Sequence, residues 1–307
     1  MNASIVIRLA VLGAIWGGSF ALQRIAVPEL GANLVAFGRL AFASVAMLGL
    51  IALLAKRLDW RARWRDYVVL GALNSAVPFW LFAHAAPHLP SGYSAVMNAT
   101  TPLFAVLLAW QAGTRPSGSK LGGVVLGMVG VALIAGFGVV TLTTSTGLAF
   151  AGALLAGALY AVAALETRRR FNGSDPLVIA AGTLSASTLL LAPVAVIDLP
   201  TATYTAGGIG ALLLIGLVCT ALAYAIYFAL LRDAGPERAT TVTLLVPVFA
   251  MIWGALLVGE SITLIDVFGA SLVLMSVALV FEKLRWPRRR ALLVPAVAPR
   301  SQPKASI

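Results

Sequence analysis

A hydroxyl residue followed by two aromatic residues, at positions i, i+4 and i+7, is the pattern from which a binding chemistry follows most directly. The pattern occurs twice, 145 residues apart, in Ser75, Phe79 and Phe82 and again in Thr220, Tyr224 and Tyr227. This spacing puts each set on one helix face, so two facing sets predict a cavity for an amphipathic solute. A packing stripe between helices is the alternative. It is weaker for Tyr224, whose hydroxyl needs a polar partner or water.

Four other side chains in apolar segments are candidates for contact with the same solute. Trp16 precedes two glycines that allow close approach, and Tyr160 lies near the middle of its segment. The Asn98 amide would hold a carboxylate or an amine, and an ionisable group such as His84 in an apolar span usually marks a functional site. Both have a structural alternative, because an amide or a neutral imidazole also forms hydrogen bonds between helices.

Three polar residues, Gln23, Arg24 and Arg39, lie toward the ends of two apolar segments. We expect the two arginines either to attract a substrate carboxylate or to close a gate at one end of the cavity. The alternative is that they extend to the aqueous interface or pair with Glu29.

Prolines fall inside three apolar segments, at Pro78, Pro102 and Pro247. Proline removes a helical hydrogen bond and crowds the preceding turn, so each is predicted to kink its helix. Such a kink serves either as a bending point during gating or only as a fixed shape.

Residues for covalent or metal chemistry are scarce. The sequence has two histidines, His84 and His88, and one cysteine, Cys219, and it contains no His-Glu-x-x-His or Walker A motif. Its 11 acidic residues fall at the ends of apolar segments or between them. We therefore predict no enzyme, no cofactor and no metal. The lack of a carboxylate at mid-segment favours facilitated flow, or coupling through a group such as His84, over an obligatory ion-driven cycle.

The composition indicates which elements position these residues. Hydrophobic residues make up 60% of the 307 residues and charged residues only 11%, which is too few to cover a water-facing surface. About 20 apolar residues in a helix cross a ~30 Å hydrocarbon core, and helices satisfy their own backbone groups in lipid. Ten stretches meet this length: 5–26, 34–55, 67–88, 90–110, 121–139, 147–165, 176–197, 207–231, 239–258 and 263–281.

Basic residues predict the orientation of this all-α membrane protein. With ten spans, 20 of the 22 Lys and Arg residues fall in the termini and alternate loops on one side, and the opposite loops hold none. Short basic loops stay in the cytoplasm, so both termini are predicted to be cytoplasmic. The net charge of +11 then reflects orientation and contact with anionic lipid headgroups, and it does not indicate a nucleic acid partner.

The second half of the chain repeats features of the first half at the offset of 145, where Pro102 falls on Pro247. Each half holds five predicted helices. Since five is odd, the second copy is inverted across the membrane, as in many secondary transporters, with a substrate site between the copies. The predicted units are two five-helix repeats and a basic, disordered tail, at residues 1–140, 141–282 and 283–307.

A family resemblance rests on a few motifs: Trp16-Gly17-Gly18-Ser19-Phe20, Arg39, Pro102, Pro247 and Gly259-Glu260. On these motifs the chain, to about residue 282, resembles the ten-helix EamA-type branch of the drug/metabolite transporter superfamily, and within it the bacterial exporters of aromatic amino acids. The resemblance implies export of small metabolites, foremost amino acids of broad range, by alternating access across a bacterial inner membrane. Multidrug export or export of another metabolite is the alternative. One departure is Arg115, which stands where the family often has an acidic residue.

Overall fold

The computed structural model describes residues 3–137, 140–235 and 239–280, with the side chains of 135–137 left aside. The predicted tail at 283–307 lies outside these residues. Among the described residues every regular element is helical, which confirms the all-α prediction for this part of the chain.

Ten apolar helices make up this part of the structure. Seven are long and apolar enough to cross a membrane: α1 (Ala3–Leu30), α2 (Ala32–Leu53), α3 (Trp60–Ala85), α4 (Ser91–Gln111), α6 (Thr144–Arg170), α7 (Pro176–Ala195) and α8 (Ala206–Ala234). The other three are α5 (Gly118–Phe137), α9 (Val242–Val258) and α10 (Leu264–Val280), whose apolar stretches with described side chains are 17 residues or fewer. The helices lie on the predicted stretches, whereas the count of ten membrane crossings and the side of each terminus stay predictions.

Two helices extend well beyond the predicted apolar spans. Helix α3 begins seven residues early, at Trp60, and α6 continues to Arg170. Both extensions are rich in arginine, which is a good helix former but does not contribute to an apolar window. The apolar pattern therefore predicted the lipid-facing length of these helices and underestimated the helix itself.

Several helices are irregular near the prolines. Wider, π-helical segments occur within α3, α8 and α9, at Ala72–Ala76, Leu214–Leu222 and Gly254–Val258. Pro78 follows the first of these segments, and Pro102 follows a break in α4 at Thr100, so both lie where a helix resumes. A residue without an N–H is tolerated at such a position. Pro247 instead lies inside a continuous stretch of α9, and the irregular turn comes after it.

The helix pairs that pack most extensively form a symmetric set. They are α5 with α10, α2 with α7, α1 with α9, α4 with α6, α3 with α6, α1 with α8, α2 with α8, α3 with α7 and α4 with α9. Replacing each helix by the one five positions away in the chain returns the same set. The packing is thus the same when viewed from either half of the chain.

Glycines allow the closest helix contacts. A Cβ added at Gly130 of α5 would lie 2.8 Å from the Gly269 oxygen of α10, and one at Gly17 of α1 would lie 2.8 Å from the Ala250 nitrogen of α9. Each contact brings two backbones together, as small residues do between membrane helices. The second contact holds the backbone of α1 close to that of α9.

Candidate functional site

A cavity of about 630 Å³ is lined mainly by helices α1, α2, α3, α4, α6 and α8, with further residues from α5, α9 and α10. This volume is in the range of small-molecule sites, about 300–1,000 Å³. The predicted residues that line the cavity are Trp16, Arg39, Phe79, Phe82, Asn98, Pro102, Tyr160, Tyr224 and Tyr227. They come from six helices in both halves of the sequence, so the fold brings distant candidates to one wall.

The two hydroxyl residues of the repeated pattern are not part of the wall. Ser75 and Thr220 are 0% and 1% exposed and do not line the cavity. Each falls within a π-helical segment, where a turn takes more residues than in an α-helix. The Thr220 hydroxyl accepts a hydrogen bond from Arg39, so the larger arginine and aromatic side chains line the cavity and the two short hydroxyl side chains do not.

Arg39 is the buried cation of the wall, with 7% of its surface exposed. Its guanidinium carbon lies 3.8 Å from the centre of the Phe79 ring, and its Nε donates a hydrogen bond of 3.0 Å to Thr220 Oγ1. Among the described residues it forms no ion pair, and Glu29 bonds with Thr205 instead. Thr220 therefore acts through Arg39, because it orients a charged group that has no acidic partner in this part of the chain.

Aromatic rings form much of the remaining wall. The Trp16 and Tyr227 ring centres are 5.4 Å apart at 50°, and Phe20 packs edge-on against Phe82 at the same separation. Offset and edge-on ring pairs of this kind stabilise a rigid apolar surface. The wall can therefore contact the apolar body of a solute while Arg39 faces its anionic group.

Several wall residues were not predicted. Ser19 and Phe20 follow Trp16 by three and four residues, and Thr101 follows Asn98 by three, so helical spacing from known candidates was the available signal. The others line the mouth of the cavity or its aliphatic surface: Ala105, Val106, Ala109, Thr114, Arg115, Pro116, Lys120, Ala161, Ala164, Thr240, Thr243, Val246 and Val280. Their positions depend on how loops and helices meet, for which the sequence pattern carries no signal.

An ion pair lies beyond the wall at the end where α4 begins. Arg24 Nε is 2.9 Å from Glu260 Oε1, and the Glu260 carboxylate also accepts hydrogen bonds of 2.9 and 2.8 Å from the amide and hydroxyl of Ser91. Arg24 further donates to the carbonyl oxygen of Leu89, at 2.6 Å. These contacts join α1, the α3–α4 turn, the start of α4 and the end of α9.

The partner of Arg24 differs from the one considered from the sequence. Glu29 lies five residues after Arg24 in α1, about 140° away around the helix, so it cannot share the face that meets Glu260. The Gln23 side chain bonds within its own helix, because its amide donates a hydrogen bond of 3.1 Å to the Ser19 carbonyl oxygen in α1. Neither Gln23 nor Arg24 lines the cavity, and the structure thus places Arg24 in a polar contact that closes one end.

A second polar cluster lies at this same closed end. Asp198, after α7, accepts hydrogen bonds from the Asn33 amide and side chain, and Asn33 accepts one of 2.7 Å from the Trp80 indole. The His84 ring packs against Trp80 at a tilt of 40° with centres 4.1 Å apart, and its Nδ1 lies 2.9 Å from the Trp80 oxygen. His84 therefore belongs to this structural cluster and not to the cavity wall.

The other end of the cavity opens toward the loop that follows α4. Arg115 and Lys120 line this mouth, which lies on the face predicted to be cytoplasmic. Each ion pair near this face joins at most two helices. One of them links α2 to α7, because the Lys56 ammonium after α2 binds the Asp175 carboxylate before α7. That hydrogen bond holds the pKa of Asp175 below its ordinary value.

Comparison with known proteins identifies the family to which this chain belongs. The sequence matches the EamA-like transporter family in two stretches, residues 4–136 and 147–282, which together cover most of the chain. The chain belongs to the EamA-like transporter family. It is a multi-pass membrane transporter, which agrees with its apolar helices and with the resemblance noted in its motifs.

Relatives of this EamA-like transporter match it along nearly their whole length. An uncharacterized transporter of Archaeoglobus fulgidus is 25% identical, over 90% of this chain and 98% of that protein. The uncharacterized inner membrane transporter YedA of Escherichia coli is 25% identical, over 97% and 96%. A probable terminal-alkyne amino-acid exporter of Streptantibioticus cattleyicolor is 26% identical, over 90% and 93%. A crystal structure with 15% identity superimposes with a TM-score of 0.63 over 91% of this chain and 96% of that one, which shows the shared fold.

Proposed function

We propose that this transporter exports small amphipathic carboxylates, with amino acids that have aromatic or aliphatic side chains as its expected substrates. The observation that carries the proposal is Arg39, a buried cation on an aromatic wall with no acidic partner in the described part of the chain. A buried charge is costly unless it is paired, so an ionisable group inside a membrane domain usually serves a ligand. A substrate carboxylate supplies the missing charge.

The shape of the cavity supports an apolar substrate body. Trp16, Tyr227, Phe20 and Phe82 offer ring surfaces, and the amide of Asn98 is on the same wall as a polar neighbour for the substrate amine. The name of the Streptantibioticus cattleyicolor relative also supports an amino acid with an apolar side chain. Export of drug-like cations is the alternative, and the lack of an acidic residue among the described wall residues disfavours it.

We further propose ten crossings of a bacterial inner membrane, in two inverted repeats that alternate access to the cavity. Support comes from the symmetric set of packed helices, from the two separate matches to the family, and from the basic loops that favour cytoplasmic termini. The described conformation is then the one open to the cytoplasm, because its mouth lies at Arg115 and its closed end lies at Arg24.

Exchange of phenylalanine in proteoliposomes tests the proposed function. We expect liposomes that hold the full chain and unlabelled phenylalanine to take up labelled phenylalanine by counterflow. Because Trp16→Ala and Tyr224→Ala remove wall contacts, each should reduce this exchange about tenfold, as a loss of about 1.4 kcal/mol would. Trp110→Ala and Tyr204→Ala are matched controls, since both side chains are about half exposed and lie off the wall. Normal exchange by the two wall variants would contradict the proposed cavity.

A further inference from the structure

We infer that the cavity selects its substrate by net charge, and that it takes organic anions in preference to zwitterions of the same shape and rejects cations. The inference rests on the proposed function and makes its substrate class narrower. Its basis is the charge of the wall: Arg39 lies deep in the cavity, Arg115 and Lys120 lie at the mouth, and the described wall residues include no aspartate or glutamate.

The carboxylates nearest the closed end are already engaged. Glu260 is bonded to Arg24 and to the amide and hydroxyl of Ser91. Asp266, which is 1% exposed, accepts hydrogen bonds from the hydroxyl of Tyr93 and from Thr263. Neither side chain lines the cavity. An ammonium group of a bound solute therefore finds no carboxylate among the described residues that line the cavity.

Aromatic rings are the remaining partners for an ammonium, and they are only partly available. The Phe79 ring already lies against the guanidinium of Arg39, at 3.8 Å from its centre. The rings of Trp16 and Tyr227 also line the cavity, but a cation that contacts either ring approaches a wall whose described charged residues are all positive. Contact between a cation and a ring is weaker than an ion pair in the same surroundings.

The wall charges also act before binding. A cleft with charges of one sign and low-dielectric walls concentrates the opposite charge at its mouth and inside. Arg115 and Lys120 at the mouth and Arg39 in the interior give the described wall this character along its whole depth. An anion is attracted by each of the three cations, and a cation is repelled by each. In a zwitterion the attraction of the carboxylate is offset by the repulsion of the ammonium.

A set of phenyl compounds of matched size tests the inference in the wild-type chain. Labelled phenylalanine is exchanged by counterflow, and four unlabelled competitors are compared with phenylalanine: N-acetylphenylalanine and 2-phenylethanesulfonate as anions, phenylalaninol and phenethylamine as cations. Sulfonate stays charged at all working pH values, so leakage as a neutral acid does not contribute. We expect the anions to compete about tenfold better than phenylalanine, which corresponds to about 1.4 kcal/mol, and the cations not to compete.

Substitutions of the wall cations test which of them produce the preference for anions. Arg39→Gln should bring the anions and phenylalanine to equal potency, and Arg115→Gln with Lys120→Gln should reduce the preference by a smaller factor. The double variant also gives a result if Arg39→Gln fails to fold, because both its positions lie at the accessible mouth. Arg61→Gln is the matched control: this residue is exposed, lies off the wall and removes the same charge, so the preference should stay unchanged.

The outcomes separate the inference from the proposed function. If phenylalanine exchanges but the anions compete no better, or the cations compete equally well, the charge selectivity is wrong and the proposed function stands. If none of the five compounds exchanges or competes, the proposed function fails and the inference fails with it. If Arg61→Gln changes the preference as much as Arg39→Gln, the selectivity arises from the net charge of the protein and not from the wall.

Discussion

The two ends of the cavity are held by different kinds of contact. At the closed end the Glu260 carboxylate alone binds groups from two other segments, Arg24 on α1 and Ser91 at the start of α4. At the open end the two basic wall residues, Arg115 and Lys120, form no ion pair with any described residue. The polar contacts of one end thus hold three segments together, whereas those of the other end leave its mouth unlinked.

The proposed inverted repeat accounts for this difference. At the offset of 145, Arg24 corresponds to Arg169 and Glu260 corresponds to Arg115. An ion pair at the closed end therefore has two like charges as its counterpart at the open end. When a carrier of this design closes the opposite end, no equivalent ion pair forms, and we expect the conformation open at Arg115 to be the more stable one.

Removal of the ion pair at the closed end should have the largest effect. Glu260→Gln leaves Arg24, which is 24% exposed, without its charged partner. Exposed pairs contribute under about 1 kcal/mol and loss of one partner of a buried pair costs about 3–5 kcal/mol, so we expect about 2 kcal/mol at this intermediate burial. A cysteine at the open mouth, Thr243→Cys in a Cys219→Ala background, reports the change. Its labelling rate by a neutral maleimide should fall by an order of magnitude as that mouth closes.

Two further variants make this experiment specific. Asp233→Asn breaks the 2.7 Å pair with Arg8 near the open end, and it should leave the labelling rate at position 243 unchanged. Exchange of the two charges, Arg24→Glu with Glu260→Arg, should restore much of the original rate. A normal rate in Glu260→Gln would mean that the ion pair does not hold the closed end.

Addition of an ion pair at the open end is the converse test, with a smaller expected effect. Arg115→Glu would face Arg169 when that end closes. Because the Arg169 side chain is 78% exposed, we expect under about 1 kcal/mol and a fall in labelling of about fivefold or less. High salt should weaken the effect, since exposed charges are screened. Arg169→Gln should abolish it, and equal labelling in Arg115→Glu and the parent would contradict the proposed correspondence of the two ends.

The sequence predicts the wall of the cavity better than its ends. Helical spacing gave the positions of Phe79, Phe82, Tyr224 and Tyr227 on the wall, because large apolar side chains follow the helix period. Ser75 belonged to the same pattern but is fully buried and does not line the cavity. The spacing of residues along a helix predicts a shared face and not which of the side chains on it reach the cavity.

The polar contacts at the ends depend on tertiary packing. Arg24 was a candidate from its residue type, but its partner Glu260 lies 236 positions away, and their contact follows from the packing of α1 against α9. The bonds of Asn33 with Asp198 have the same origin in the packing of α2 against α7. Charge patterns along the chain predict the side of each loop, whereas pairs such as Arg24 with Glu260 can be found only from the arrangement of whole helices.

The Lys56–Asp175 pair, on the open face but outside the mouth, should give the smallest effect. Lys56→Gln removes a pair that is about one-third exposed on each side, so we expect a loss of under about 1 kcal/mol in stability at pH 7. Since Lys56 lowers the pKa of Asp175 in the folded state, its contribution is complete above the unfolded pKa, about 3.9, and is lost as the pH falls through the lower folded value. The thermal unfolding midpoints of Lys56→Gln and the parent should therefore differ by about 1–2 °C at pH 7 and converge below about pH 4. The labelling rate at Thr243→Cys should change much less with Lys56→Gln than with Glu260→Gln. Equal changes would mean that ion pairs at both ends of the cavity stabilise the described conformation, and not only the pair of Arg24 with Glu260.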